Sequence, residues 1–321
     1  MTEANPWLSV IVPTYNGERF IGRALASVAA QEDEDLEVIL VDDGSTDRTL
    51  EIARSFSGVL RMKIFEHEHT GNWVASTNVG LRAAEGDHVS FLHQDDEWLP
   101  GRAVTVRGVL RRYGPRVLLL HPVWFIDVRG RRTGRWTCPL PTGAAASKDA
   151  VFRALLVQNF ICIAGAVFPR AVALEGGGLD EGLWYTADWD VWLRLVKEVE
   201  LVLYLGAPLA CFRVHPSAIT ATWSSRLDEF RWQQEAILER HLAGSVAGEV
   251  EMQRVEAAAR FSVEVNVALA ALAHGKRVEL ARLGRSLFRL GPRGWRMYLR
   301  NSRVWERVSA RVRANAFAAF R

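Results

Sequence analysis

Through the first hundred residues, short apolar runs alternate with longer stretches in which apolar positions recur every three or four residues. Leu8-Ser9-Val10-Ile11-Val12 is a run of the first kind, stopping at Pro13, and Val38-Ile39-Leu40-Val41 is another. Runs so short and so rich in β-branched residues predict buried strands. Residues 62–65 and Val89-Ser90-Phe91-Leu92 predict a third and a fourth. Between them, residues 19–31 set Phe20, Ile21, Leu25 and Val28 on one helical face, and residues 46–56 repeat the spacing at Leu50, Ala53 and Phe56. Residues 72–84 predict a further helix, closed by a Gly86-Asp87 turn. Pro100 stands where a first-turn proline belongs, and the helix it opens stops before Gly114-Pro115.

Farther along, residues 117–120 and 161–168 predict strands, and residues 150–157 and 188–199 predict helices. Residues 201–212 predict a buried strand, a turn at Gly206 and Pro208, and a second strand. From Arg226 the pattern is helical to the end. Repeated βα units argue for an α/β fold with a mainly parallel sheet and helices on both faces. Such sheets bind ligands beyond the carboxyl ends of their strands.

Composition refines this only a little. The chain has 321 residues, 49% hydrophobic and 24% charged, enough for one large domain or a domain with an appendage. Cys138, Cys162 and Cys211 are far apart with no CxxC spacing, which disfavours a zinc site or a disulfide framework and fits a reducing, cytoplasmic compartment. The first residues lack the basic-then-apolar order of a signal peptide, and no apolar run approaches the ~20 residues that span a bilayer. Charge is distributed unevenly. Residues 276–321 hold 13 Lys/Arg against 2 Glu, a net +11, so within a chain of net +3 the first 275 residues carry −8.

Three acidic clusters fall where this architecture places a site. Asp42-Asp43-Gly44 and Asp95-Asp96 each follow a predicted buried strand, and Asp188-Trp189-Asp190 opens a helix. Each has a plainer reading: a turn at Asp43-Gly44, a cap before Pro100, a helix N-cap at Asp188. Carboxylates gathered at strand ends repel one another unless a cation or a donor lies between them. Hard oxygen ligands of this kind suit Mg²⁺ or Mn²⁺, which also hold a diphosphate.

Read together, the motifs resemble a known family. Val10-Ile11-Val12-Pro13-Thr14-Tyr15-Asn16-Gly17 followed by Val41-Asp42-Asp43-Gly44-Ser45-Thr46-Asp47 is similar to the opening of family 2 glycosyltransferases. Gly71, Asn78-Val79-Gly80-Leu81 and Phe91-Leu92-His93-Gln94-Asp95-Asp96 continue it, and Ala187-Asp188-Trp189-Asp190-Val191-Trp192-Leu193-Arg194 resembles the later acidic motif. The resemblance spans residues 7–220 and implies a GT-A fold, a nucleoside diphosphate sugar donor and inverting chemistry. It places Pro13, Thr14, Tyr15, Asn16, Asp43, Asn78 and Asp95 around the donor. Asp96 and Asp95 are the implied Mg²⁺ or Mn²⁺ ligands, with His215 a further candidate, and Asp188 is the implied general base. The physics is compatible: a tyrosine ring offers a base a flat apolar face, and a carboxylate accepts a ring N–H.

The chain departs from the family at Ala187, where Glu is common, at Thr77, where Arg is common, and at His93-Gln94, where Asp-Ser or Asp-Ala is frequent. It has no Gln-x-x-Arg-Trp motif after Asp188, which disfavours a processive synthase. His215 in Arg213-Val214-His215-Pro216 reads either as a metal or phosphate contact or as a loop histidine bonded to backbone, and Arg213 as a surface charge. Trp184, Trp189 and Trp192 read as core at helical spacing, or as a platform for an acceptor.

The expected organisation is a catalytic domain over 1–220 and a basic helical region over 221–321. In the tail, Trp295, Tyr298, Leu299, Trp305, Val308 and Val312 recur between arginines. That is the pattern of a basic amphipathic helix, either lying on the inner face of the cell membrane or packed on the catalytic domain. The expected acceptor is a glycan or lipid-linked sugar in cell-surface polysaccharide or glycolipid assembly, and no nucleic-acid motif accompanies the charge. The alternatives are a nucleotidyltransferase, disfavoured because Pro13-Thr14-Tyr15-Asn16-Gly17 is not a Gly/Arg-rich loop, and a non-catalytic sugar-nucleotide-binding module.

Overall fold

The computed structural model describes residues 5–218, 224–243, 250–306, 308–309 and 312–313. The chain runs β1 (Leu8–Thr14), α1 (Ile21–Ala29), β2 (Leu36–Asp42), α2 (Thr49–Arg54), β3 (Met62–Glu66), α3 (Trp73–Ala83), β4 (His88–Phe91), β5 (Glu97–Trp98) and α4 (Arg102–Tyr113). It continues with β6 (Val117–Leu120), β7 (Val123–Ile126), β8 (Arg132–Trp136), β9 (Ala145–Ala146), α5 (Lys148–Val157), β10 (Ala166–Pro169), α6 (Arg170–Glu175), α7 (Ala187–Glu198), β11 (Leu201–Tyr204) and β12 (Ala210–Arg213). Three long helices follow, α8 (Leu227–Leu242), α9 (Val250–Ala273) and α10 (Leu280–Ser302), the last broken at Gly291-Pro292.

The main sheet has the order β3-β2-β1-β4-β10-β6-β11-β9. β3, β2, β1 and β4 are mutually parallel, β10 is antiparallel to β4 and β6, and β11 is parallel to β6. A smaller sheet, β5-β12-β7-β8, stands beside it. The period-two alternation of the strands divides the apolar residues between two cores. Val10, Val12, Val38 and Leu40 face α1 and α4, whereas Ile11, Ile39, Val41 and Phe91 face α3, α5 and α7. This is the mixed, mainly parallel α/β sheet with helices on both faces that the sequence predicts. Gly80 brings α3 down onto β1, since a Cβ there would lie 2.5 Å from Ile11 Cγ2.

The C-terminal helices share the second core. Phe230 and Ile237 of α8, Val255, Ala259 and Phe261 of α9, and Leu290 and Tyr298 of α10 pack into it with α5 and α7. No helix among the described residues is long and apolar enough to cross a membrane. The expected 220/221 domain boundary lies outside the described residues, as do Arg307, Arg311 and residues 314–321 of the tail.

Several expectations are corrected. β1 continues through Pro13 to Thr14, because its ladder with β4 ends at Ile11 and the missing proline N–H is no longer needed on that side. Pro100 precedes the helix rather than opening it: Gly101, at φ 78°, is the N-cap of α4. The expected 161–168 strand begins only at Ala166 and runs to Pro169, and Ile163–Gly165 forms a 3₁₀ turn. An apolar run buried as a turn carries the same hydrophobic signal as one buried as a strand. The pattern also passed over β7 and β8.

Trp192 is fully buried, with ring centroids 5.5 Å from Phe168 and 6.4 Å from Phe91. Trp192→Ala should cost about 3–5 kcal/mol in urea unfolding, the usual loss for an aromatic removed from a core.

Candidate active site

Because β2, β1 and β4 are adjacent and parallel, their carboxyl ends deliver Asp42-Asp43, Thr14-Tyr15 and His93–Asp96 to one edge. β10 runs the other way, so the segment entering it, from Asn159 to Gly165, arrives at the same edge. The sequence-predicted residues are stitched together there by short bonds. Asp43 N donates to Thr14 O (2.9 Å), Asn16 N to Ser45 Oγ (2.9 Å) and Thr46 N to Asn16 Oδ1 (2.9 Å). Asn16 takes φ 45°, a left-handed conformation that asparagine tolerates. Gln94 clamps the first loop to the third: its Oε1 accepts from Tyr15 N (2.9 Å) and Thr14 Oγ1, and its Nε2 donates to Tyr15 O (3.0 Å).

Asp43 is buried, and its carboxylate accepts from Thr70 N (2.8 Å), Thr70 Oγ1 (2.9 Å) and Gly71 N (2.9 Å), with His69 Nδ1 at 3.0 Å. Burial pushes its pKa up, but the bonds from Thr70 and Gly71 and the nearby His69 prevail and hold it below the usual value. A carboxylate has about four lone-pair sites, so a ring N–H reaches Asp43 only by displacing one of these partners. The half-exposed His69 is the movable one; its ring stacks on Tyr15, 3.9 Å between centroids.

The third cluster is the driest. Asp96 is 1% exposed; its Oδ1 accepts from Arg213 N (2.9 Å) and its Oδ2 is buried with no hydrogen-bond partner. His93 Nε2 is likewise buried without a partner. Ligand atoms of His93, Asp95 and Asp96 lie within 4.8 Å of one another. Burial and the neighbouring Asp95 charge push Asp96 well above the normal carboxylate range. Burial raises Asp95 too, but the His215 bond and the charges of His93 and His215 together hold it below that range. A pair with one carboxylate disfavoured as an anion and one oxygen left without a donor fits a divalent cation, which would supply the missing positive charge.

His215 is buried. Its Nε2 lies 2.8 Å from Asp95 Oδ2 and its Nδ1 2.9 Å from Ser217 Oγ, so its partners are side chains, not the backbone. Arg213 is no surface charge: it is 1% exposed, donates to Asp95 O (2.7 Å) and Asp127 O (2.8 Å), and is paired with Glu97. The antiparallel β5–β12 register, Cys211 opposite Glu97, extends to set Arg213 opposite Asp95.

Asp188 lies in the first turn of α7, partly buried. Its Oδ2 accepts from Asn159 Nδ2 (3.0 Å) and its Oδ1 from Trp189 N (2.8 Å). Burial outweighs these bonds and pushes its pKa up to about 6. Ala187, where the family often has Glu, is fully buried, so it supplies no neighbouring charge. Burial raises the pKa of the Cys162 thiol, and the charges of Asp96 and Asp188 raise it further.

Not every predicted residue joins the site. Asn78 donates to Leu179 O (2.8 Å) and Glu181 Oε1 (2.9 Å) and accepts from Leu179 N (2.9 Å), which commits its amide to the loop ahead of α7. Trp189 and Trp192 are core. Trp184 is half-buried and donates to Glu229 Oε1 (2.6 Å) of α8. Gln94, His93 and Asn159 went unassigned in the sequence. The first two stood inside a recognised motif, while nothing local marks Asn159.

Comparison with known proteins gives the family and the fold. Residues 9–166 match the family described as Glycosyl transferase family 2, a span that includes Asp43, Asp95 and Asp96 but not Asp188 or His215. An uncharacterized glycosyltransferase of Rickettsia typhi is 25% identical over 226 residues, 70% of each chain. The Staphylococcus aureus poly(ribitol-phosphate) β-N-acetylglucosaminyltransferase TarS is 43% identical over 91 residues, 27% of this chain and 16% of TarS. TarS residues 1–349 in complex with UDP-GlcNAc superpose with TM-score 0.56 at 20% identity, covering 90% of this chain and 91% of that one. The mannosyltransferase PcManGT of Pyrobaculum calidifontis, in complex with GDP-Man and Mn²⁺, gives TM-score 0.52 at 19% identity over 98% of this chain and 87% of that one. The fold is that of GT-A transferases.

Gln94→Leu leaves Tyr15 N without its acceptor and frees the first loop from the third. Nucleotide affinity by calorimetry should fall about tenfold, equivalent to ~1.4 kcal/mol, with the melting temperature shifted by only a few degrees.

Proposed function

Because the chain belongs to glycosyl transferase family 2 through residues 9–166, we propose that it moves one sugar from a nucleoside diphosphate donor to an acceptor hydroxyl, with inversion at the anomeric carbon. One observation carries the reading. The dry Asp95-Asp96 pair, with an oxygen lacking a donor, stands at the sheet edge where Asn159 holds a partly buried aspartate, Asp188, whose pKa is raised to about 6. The catalytic assignment is to residues 1–220, with 221–321 a supporting helical region.

In this reading Pro13, Thr14, Tyr15 and Asn16 form the wall against which the base lies, and Asp43 accepts a base N–H once His69 yields. Asp95 and Asp96 would hold Mg²⁺ or Mn²⁺, which neutralises charge on the departing diphosphate. Asp188 takes the proton of the acceptor hydroxyl as that oxygen attacks from the face opposite the leaving group. The carbon–oxygen bond to the diphosphate breaks as the new one forms, and one displacement inverts the centre. The donors named for the two structural relatives, UDP-GlcNAc and GDP-Man, are both of this class and serve as probes.

A second observation bears on the acceptor. The tail presents Phe288 and Trp305, 90% and 77% exposed, with Leu287, Trp295 and Leu299 also exposed, among the exposed Arg285, Arg289, Arg296 and Arg300. Large apolar side chains among arginines suit an anionic lipid surface, where a lipid-linked acceptor resides.

Two tests follow. Asp188→Asn should slow hydrolysis of UDP-GlcNAc or GDP-Man, whichever the wild type turns over, by about 10²–10⁴-fold. In the wild type the rate should rise with pH through about 6, because the base acts only once deprotonated, and this inflection should vanish in the variant. Equal rates would remove Asp188 as base. Flotation with phosphatidylglycerol-rich vesicles should fall sharply for Phe288→Ser/Trp305→Ser, substitutions that leave the buried face of α10 intact; undiminished flotation would end the lipid reading.

A further inference from the structure

The residue at the active edge that the proposed reaction leaves without a role is His93. It follows the end of β4 by two residues, directly ahead of Gln94 and the Asp95-Asp96 pair. Its ring meets Trp73 edge-on, centroids 5.2 Å apart at 71°, and Trp73 is itself fixed by donating to Trp184 O (2.6 Å). Nε2 is buried and without a hydrogen-bond partner, and so is Oδ2 of Asp96 in the same three-residue cluster. A buried polar atom without a partner is costly, and two of them in one cluster mark a place built for something that bonds both. Ligand atoms of His93, Asp95 and Asp96 fall within 4.8 Å of one another. Opposite ligands of an octahedral cation at 2.0–2.1 Å stand about 4.2 Å apart, so the three fit around one ion with small adjustments.

His215 is the other imidazole nearby, but its two ring nitrogens already meet Asp95 Oδ2 and Ser217 Oγ. It orients a ligand from behind, as outer partners of metal sites do.

Resting on the reading of this cluster as the cation site, we propose that His93 Nε2 is a direct ligand of the divalent ion, beside Asp95 and Asp96. The resulting nitrogen-oxygen set favours a transition-metal ion such as Mn²⁺ over Mg²⁺. Mg²⁺ is hard and holds oxygen ligands and water in preference to imidazole, whereas first-row transition ions gain from nitrogen.

The test uses the full chain and Mn²⁺ alone, without donor. Pulsed electron paramagnetic resonance on the bound ion should show ¹⁴N coupling from a coordinated imidazole, lost in His93→Gln and kept in His215→Gln. Competition titrations should show His93→Asp still binding the cation but with the Mn²⁺/Mg²⁺ affinity ratio reduced at least tenfold. Bound Mn²⁺ without ¹⁴N coupling overturns the inference and leaves the cation site standing. So does coupling that survives His93→Gln and disappears in His215→Gln, or an unchanged ratio in His93→Asp. Absence of any Mn²⁺ binding by the wild type removes the cation site and this inference together. The wild-type spectrum needs no variant to fold.

Discussion

The repulsion between the adjacent carboxylates of Asp95 and Asp96, held largely out of water, is the constraint around which the active edge is arranged. Two like charges in a dry pocket cannot both stay ionised without help. Here the help is partial: Arg213 N takes one oxygen of Asp96 and His215 takes one of Asp95. The Arg213 guanidinium is spent on Asp95 O, Asp127 O and Glu97 and offers neither carboxylate a charge-assisted bond. The residual deficit, a raised Asp96 and an oxygen with no donor, is what a divalent cation would relieve. The small sheet exists at this place for the same reason, since β5–β12 pairing is what brings residues 213 and 215 to the end of β4.

α7 treats its two first-turn aspartates in opposite ways. Asp190 is fully buried but bonded to His241 (2.9 Å), Arg194 (2.8 Å) and Arg240 (3.0 Å), and although burial raises its pKa those partners hold it well below the normal range. It is a structural anion that fastens α7 to α8. Asp188 has no cationic partner among its bonds, only the Asn159 amide and its neighbour's N–H, and burial prevails. The same residue type, two positions apart, is thus a locked ion pair in one case and a carboxylate with a raised pKa in the other. The positive charges around it make the difference.

Much of this was legible from pattern. The strands β1, β2 and β4 announce themselves as short apolar runs, and the acidic residues at the ends of β2 and β4 mark the active edge because parallel sheets put strand ends together. What stayed hidden depends on pairing between distant segments. Arg213 looks like a surface charge in sequence, and only the register of two short strands buries it beside residues 95–97. Asn78 looks like part of the donor motif, yet its amide is consumed by residues 179–181, 101 positions or more away. Asn159 carries no local signal at all, since its role exists only because β10 runs antiparallel and returns the chain to the edge. Strand pairs of two residues, such as β5 and β9, have no periodicity to read.

The C-terminal helices bear on the same chemistry through polar contacts that hydrophobic patterning does not reveal. Gln158, the neighbour of the residue that holds Asp188, accepts from Ser262 Oγ (2.8 Å) and Asn266 Nδ2 (3.1 Å) of α9, and Asn266 also bonds Gln234 of α8 (2.8 Å). On the other flank of Asp188, Tyr185 N donates to Gln233 Oε1 (2.8 Å) and Trp184 Nε1 to Glu229 Oε1 (2.6 Å). Both segments that frame the aspartate, 158–159 and 184–185, are therefore positioned by α8 and α9. Its raised pKa comes from burial, and these helices cover that side of the sheet. A helical region that reads in sequence as an appendage thus fixes the segments on both flanks of Asp188, and the placing of the aspartate depends on the whole chain.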